Sequence, residues 1–276
     1  MHPDDRKHPF SKIKEIDWNF ITMLNLFKVL TLFLLSIAPL VAAPLKVGVT
    51  AGPHAIIMEK VKELAKTEGI DIQVIEFNDF IIPNVALNDK ELDINSYQHQ
   101  PFLDEQIKTR GYKIKSAGKT VLMPMGIYSK TLTKLSELKD NSKIAIPADP
   151  TNGGRALKLL EREGLLTLKP SHNPSILDIV ENPKKLTILE IDAPQLPRTL
   201  EDVQAAVINT DWVLLAGVDP TLALAIEDKN SPYANVFAVG IDENRPEVKK
   251  LIEIYQSEKT KEFINEKFKG AVLPAW

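Results

Sequence analysis

The chain has 276 residues, 44% hydrophobic and 26% charged, with a formal net charge of −3. That is apolar material for two lobes of ordinary size or one large domain. The slight acidic excess, without any block of Lys and Arg, excludes a partner held by its phosphate backbone, such as a nucleic acid. Cysteine is absent, which removes disulfides, thiolate metal sites, Cys nucleophiles and a lipid anchor carried on Cys.

Residues 29–41 (VLTLFLLSIAPLV) form an apolar run behind Lys28. Its length suits a signal-peptide core and falls short of the about 20 residues that a membrane span needs. The small residues of Val41-Ala42-Ala43 read as a cleavage pattern. Residues 1–22 are polar and long for the segment before such a core, so Met23 is the expected start of translation. Pro44 stands directly after the pattern and hinders the extended backbone a peptidase binds. Inefficient or shifted cleavage is therefore expected, with an uncleaved membrane tether as the other outcome. Residues 1–43 are read as an N-terminal extension and signal peptide leading to the periplasm.

From residue 45 the pattern alternates. Residues 45–50 (LKVGVT) and 70–77 (IDIQVIEF) read as strands, and apolar residues at 56, 57, 61, 64 and 65 place a helix over 55–66 between them. A strand, a helix and a second strand predict parallel pairing. The reading continues with a helix at 83–88, a strand at 92–96, a helix at 101–110 closed by Gly111, and a strand at 113–120. An apolar stretch, 121–129, leads into a new section. There 143–147 (KIAIP) is a strand, 151–163 a helix stopped by Gly164, and 186–191 and 205–209 are further strands. Residues 233–240 form an apolar strand, and helices at 247–256 and 260–268 close the chain. No internal repeat or low-complexity linker is visible in the sequence. The expected architecture is α/β with two lobes, 44–124 plus 234–276 and 125–233. The chain is expected to cross between them on two strands, near 121–126 and 229–235, and a ligand cleft lies between the lobes.

Two segments could carry chemistry. Asp149-Pro150-Thr151-Asn152-Gly153-Gly154-Arg155 lies between a strand and an amphipathic helix. Thr151 reads as the helix N-cap, the two glycines allow close backbone approach, the helix start favours an anion, and Arg155 could clamp a carboxylate. An ordinary capped helix with Arg155 in solvent fits the residues equally well. Tyr97-Gln98-His99-Gln100-Pro101-Phe102 follows a strand, where aromatic rings and an imidazole suit a ligand wall; core packing with His99 as a cap competes. Neither GxxxxGK[ST] nor GxGxxG is present. His54 and His172 lack a carboxylate at metal-binding spacing, and no serine sits in a nucleophile elbow. No metal, cofactor or enzymatic activity is expected.

At these segments the sequence resembles the methionine-binding lipoproteins of bacterial ABC importers, the NlpA family. The resemblance is carried in order by Lys46-Val47-Gly48-Val49, Phe77-Asn78-Asp79-Phe80, Tyr97 to Asp104, Pro150 to Arg155, Val180 to Lys184, Ala193 to Arg198, Ala206 to Thr210 and Glu227 to Asn235. It implies a type II-like periplasmic-binding-protein fold that closes on its ligand. It also implies a monomer that captures L-methionine, or D-methionine, and hands it to a membrane permease and its ATPase. By motif, Arg155 should bind the ligand carboxylate, and Asn152, Asn209 and Asn235 should meet the ammonium and carboxylate. Phe80, Tyr97, His99 and Phe102 should wall the thioether. The chain departs from the family pattern at Phe80 and Phe102, where Tyr is usual, at Gly153, where Leu is usual and whose absence implies a looser loop, and in lacking the lipobox Cys. An envelope protein with another small ligand, or with an adhesion or signalling role, is the alternative; an enzyme on the same fold ranks last.

Overall fold

Apolar spacing that switches between two residues and three to four sets the order of strands and helices from residue 45 onward. The computed structural model describes residues 43–276. The apolar run at 29–41, the start at Met23 and the polar stretch 1–22 lie outside the described residues. In chain order the elements are β1 (Leu45–Thr50), α1 (Pro53–Thr67), β2 (Ile72–Phe77), α2 (Ile82–Asn88), β3 (Ile94–His99), α3 (Gln100–Arg110), β4 (Ile114–Lys119), β5 (Val121–Leu122) and β6 (Gly126–Tyr128). They continue with β7 (Lys143–Pro147), α4 (Pro150–Arg162), β8 (Thr167–Leu168), β9 (Ile179–Glu181), β10 (Thr187–Ile191), α5 (Leu196–Thr199), β11 (Ala205–Ile208), α6 (Thr210–Leu215), β12 (Ala225–Ile226), β13 (Asn235–Gly240), α7 (Pro246–Tyr255), α8 (Glu258–Phe268) and β14 (Leu273–Pro274).

The fold is two-lobed, with one five-stranded sheet in each lobe. The first runs β2-β1-β3-β13-β4 and the second β10-β7-β11-β6-β12. In the first, β1 pairs in parallel with β2 and β3, and β13 is antiparallel to β3 and β4. The second repeats this plan. β7 is parallel to β10 and β11, and β6 runs antiparallel to β11 and β12. A repeat invisible in the sequence is thus present in topology. Each sheet receives its antiparallel strand from a crossing: β6 follows the outward passage and β13 the return.

The crossings themselves are not lobe-spanning strands. Val121 and Leu122 pair with Pro274 and Leu273, so the C-terminus fastens the outward segment. On the return, the Asp228 carboxylate accepts from Asn230 N–H and the Ser231 hydroxyl from Tyr233 N–H, making turns. The strand expected at 92–96 lies at 94–99, because Leu92 N–H turns back to the Ala86 carbonyl. This shift brings Tyr97, Gln98 and His99 into the sheet.

Helix α1 buries His54, Ile57, Met58, Val61 and Ala65. Ile56, expected on that face, is 39% exposed; the buried positions follow i, i+3, i+4, i+7 and i+11 from His54, and Ile56 falls off that stripe. Strand β13 is buried on both sides, with Phe237 and Val239 toward α1, α7 and α8 and Val236 and Ala238 toward α2 and α3. It therefore reads as a continuous apolar run.

Strand β3 is buried along its whole length yet reads Ile-Asn-Ser-Tyr-Gln-His. Its amides are matched. Asn84 Nδ2 donates to Gln98 Oε1 at 2.7 Å, and Gln98 Nε2 donates to Asn84 Oδ1 at 2.6 Å and to Asn95 Oδ1 at 3.0 Å. Asn95 Nδ2 donates to Asn84 Oδ1 at 2.9 Å and to the Pro83 carbonyl at 3.2 Å. This cluster pins α2 to β3. Asn84→Leu strands two buried amides, so it should lower stability by about 1–3 kcal/mol. Urea denaturation should show a lower midpoint at unchanged slope.

Candidate functional site

The C-terminal ends of β3 and β11, the first turns of α4 and the start of β13 converge on one cavity. Phe80, Tyr97, His99, Phe102, Asn152, Arg155, Asn209 and Asn235 all line it, together with Gln98, Met123 and Asp211. The first lobe contributes Phe80, β3, Phe102 and Asn235; the second contributes Asn152, Arg155, Asn209 and Asp211.

One side is aromatic. The Phe80 ring packs at 6.2 Å on Tyr97, 6.3 Å on Phe102 and 5.2 Å on Trp212. Three ring partners favour a ring without a hydroxyl at this position. The Tyr97 hydroxyl donates to the Phe80 carbonyl at 2.9 Å, which ties the rings together. Burial, and next the Asp79 charge, push the Tyr97 pKa upward, so the hydroxyl keeps its proton.

His99 is both a cap and a cavity wall. Its Nδ1 accepts the Phe102 N–H at 3.1 Å at the start of α3. Nε2 therefore carries the proton and donates to Asn152 Oδ1 at 3.2 Å across the lobes. Burial, then the Arg155 charge, lower the His99 pKa to about 3, and the ring stays neutral. Asn152 Oδ1 also accepts from Asn209 Nδ2 at 2.8 Å, and Asn152 Nδ2 faces both Asp149 oxygens. The Asn152 oxygen is thus fully used by protein groups.

Helix α4 differs from its sequence reading. Its N-cap is Asp149, not Thr151. Asp149 Oδ1 accepts from Asn152 N–H and from the Thr151 hydroxyl, both at 2.9 Å. The helix start is filled by its own carboxylate, so the anion site expected there is taken. Residues 152–155 are buried helix rather than a loose loop. Gly153 and Gly154 serve approach within the protein. A Cβ on Gly153 would stand 2.8 Å from the Pro147 carbonyl, and one on Gly154 2.6 Å from Asn173 Oδ1.

Arg155 is buried rather than solvated, and it is already clamped. Nε donates to Glu227 Oε1 at 2.8 Å and Nη2 to Glu227 Oε2 at 2.5 Å; Nη2 also reaches the Met123 carbonyl at 2.9 Å. The Tyr233 ring lies 4.5 Å from the guanidinium carbon. Glu227 Oε2 takes the Met125 N–H as well. The group therefore joins α4 to both crossings, and leaves Nη1 outside these bonds.

Behind the cavity, Asn235 Nδ2 donates to His54 Nε2 at 3.1 Å, and Asp211 lies 3.9 Å from the same nitrogen. Burial lowers the His54 pKa to about 3. Asp211, Glu227 and Trp212 carry no individual signal in the sequence, and His54 is read there only as lacking a metal-binding partner. Gln98, Glu227 and Tyr233 sit inside segments noted there. Asp211 stands one residue past the segment that ended at Thr210. Met123 carries no sequence signal.

Residues 45–276 match the sequence profile of the family described as NlpA lipoprotein. The chain belongs to the NlpA lipoprotein family. The D-methionine-binding lipoprotein MetQ of Salmonella typhi is 45% identical over 239 residues, 84% of this chain and 88% of its own. Among solved structures, a nutrient binding protein from Burkholderia cenocepacia bound to methionine superposes with a TM-score of 0.82 at 50% identity, covering 84% of this chain and all of that one. An ABC transporter periplasmic substrate-binding protein from Coxiella burnetii gives 0.81 at 46% identity over the same shares.

In this NlpA-family cavity, burial pushes the Asp211 carboxyl from its ordinary 3.8 up to about 6, against its own backbone N–H and Arg155. The folded chain holds that proton more tightly than the unfolded one. Stability therefore falls as pH rises from 3.8 to about 6, and the penalty is complete above that. Asp211→Asn should raise the thermal midpoint of ligand-free protein at pH 7.5 by about 5 °C, with the gain lost near pH 3.5. An unchanged midpoint at pH 7.5 would contradict a penalised carboxylate.

Proposed function

We propose that this chain captures methionine in the cavity between its lobes and delivers it to an ABC permease and its ATPase in the bacterial envelope. The observation that carries the reading is the polarity of the cavity: an aromatic wall of Phe80, Tyr97 and Phe102 at one side and Arg155 with Asn209 and Asn235 at the other. An amino acid with an unbranched, polarizable side chain matches both. Thioether sulfur against aromatic edges gains about 0.3–1.5 kcal/mol per contact. The methionine-binding names of relatives at 45% and 50% identity support the same ligand.

In this reading the Arg155 Nη1 group meets the ligand carboxylate while Glu227 holds the guanidinium in place. Asn209 and Asn235 meet the backbone end of the ligand. Asn152 acts by holding His99 and Asn209 together. Residues 44–124 with 234–276 and residues 125–233 move as two bodies about the crossings at 123–126 and 227–234. The working form is a monomer in the periplasm, exported by the signal segment.

Calorimetry on protein unfolded and refolded to strip bound ligand tests the reading. Heat with L- or D-methionine is expected, and Arg155→Ala should weaken binding at least about 100-fold. Heat with another amino acid and none with methionine would refute the ligand. Phe80→Ala should weaken methionine by about tenfold while leaving alanine nearly unchanged, because it removes only the side-chain wall.

A further inference from the structure

Asp211 is a charge in the cavity wall that the methionine reading does not yet use. It is 5% exposed and belongs to the first turn of α6. The cation nearest to neutralising it is committed elsewhere, since both Nε and Nη2 of Arg155 bind Glu227. His54 offers no counter-charge. Its Nε2, 3.9 Å from Asp211, accepts from Asn235, and the buried ring stays neutral. A second acceptor sits two residues away: Asn209 Oδ1 is buried, lines the same cavity and has no hydrogen-bond partner among the described residues. Its Nδ2 is directed to Asn152, which fixes the amide so that the oxygen faces away from that bond. A buried carboxylate and a free amide oxygen on one wall call for a small cation with several N–H bonds.

We propose that Asp211, helped by Asn209 Oδ1, is the counter-charge to the ammonium group of the bound amino acid, so that a free α-amino group is a condition of tight binding. The proposal rests on the amino-acid reading of the cavity. It separates the ligand's two charges: the carboxylate goes to Arg155, and the ammonium to the α6 side of the wall. It also makes binding pH-dependent. The groups facing Asp211 are His54 from α1, Arg155 from α4 with Glu227 behind it, and His99 from β3. Both imidazoles are held near 3, so neither changes charge between pH 5 and 8. Asp211, pushed up to about 6 by burial, does. Ammonium binding needs the ionised form, and a group of that pKa makes apparent affinity fall by about tenfold from pH 7.5 to pH 5.

The test is calorimetry on the full chain, stripped of ligand, with methionine and with 4-methylsulfanylbutanoate, which is methionine without its ammonium. Wild-type protein should prefer methionine by about 100-fold or more, because the analogue leaves the Asp211 charge uncompensated and Asn209 Oδ1 unpaired. Asp211→Asn should weaken methionine at least tenfold, leave the analogue within about threefold, and abolish the loss of methionine affinity at pH 5. Thermal unfolding of the variant shows whether it has folded, and the wild-type pH profile stands without it. Methionine affinity within threefold of wild type, equal weakening of both ligands, or a flat wild-type profile would overturn the proposal. Wild-type protein that binds neither ligand overturns the methionine reading, and this proposal with it.

Discussion

The buried ion pair between Arg155 and Glu227 is the constraint on which the arrangement of the site depends. Their side chains are 4% and 9% exposed. Such a pair adds little to net stability, but removing one partner leaves an uncompensated charge at about 3–5 kcal/mol. Its value lies in position. Glu227 belongs to the return crossing and takes the Met125 N–H of the outward one, while Arg155 reaches the Met123 carbonyl and packs under Tyr233. One guanidinium therefore ties the two crossings together and lines the cavity.

The cavity is otherwise held by polar links between the lobes. His99 on the first lobe bonds to Asn152 on the second, and His54 on the first, bonded to Asn235, lies 3.9 Å from Asp211 on the second. Both histidines are neutral and each serves through one fixed tautomer. Phe80 crosses the same boundary, packing its ring on Trp212. These contacts are directional, so they link the lobes without making them a fused core. The two sheets have separate apolar clusters behind them.

Much of this was visible in the sequence because local patterns carried it. The 45–77 unit and the strand at 143–147 follow apolar spacing, and the eight candidate residues line one cavity. What was missed depended on distance in the chain. Asp149 rather than Thr151 caps α4, which is a choice between two good caps that geometry alone decides. The solvated or ligand-clamping readings of Arg155 both failed to include Glu227, which lies 72 residues away. The topological repeat between the sheets leaves no sequence trace, because equivalent strands need only similar burial. The polar residues of β3 looked like a strand exit, since a buried strand is expected to be apolar; they are matched by Asn84 on a neighbouring helix. Gly153 and Gly154, read as room for a ligand, make room for Pro147 and Asn173 instead.

The proposed role of Glu227 is to position Arg155 for the ligand. The most direct measurement is the methionine dissociation constant of Glu227→Gln, taken by calorimetry on stripped protein that unfolds cooperatively. The amide keeps the shape of the carboxylate but cannot accept both guanidinium N–H bonds through charged oxygens. Affinity should fall by at least about tenfold. Affinity within twofold of wild type, in folded protein, would contradict the claim.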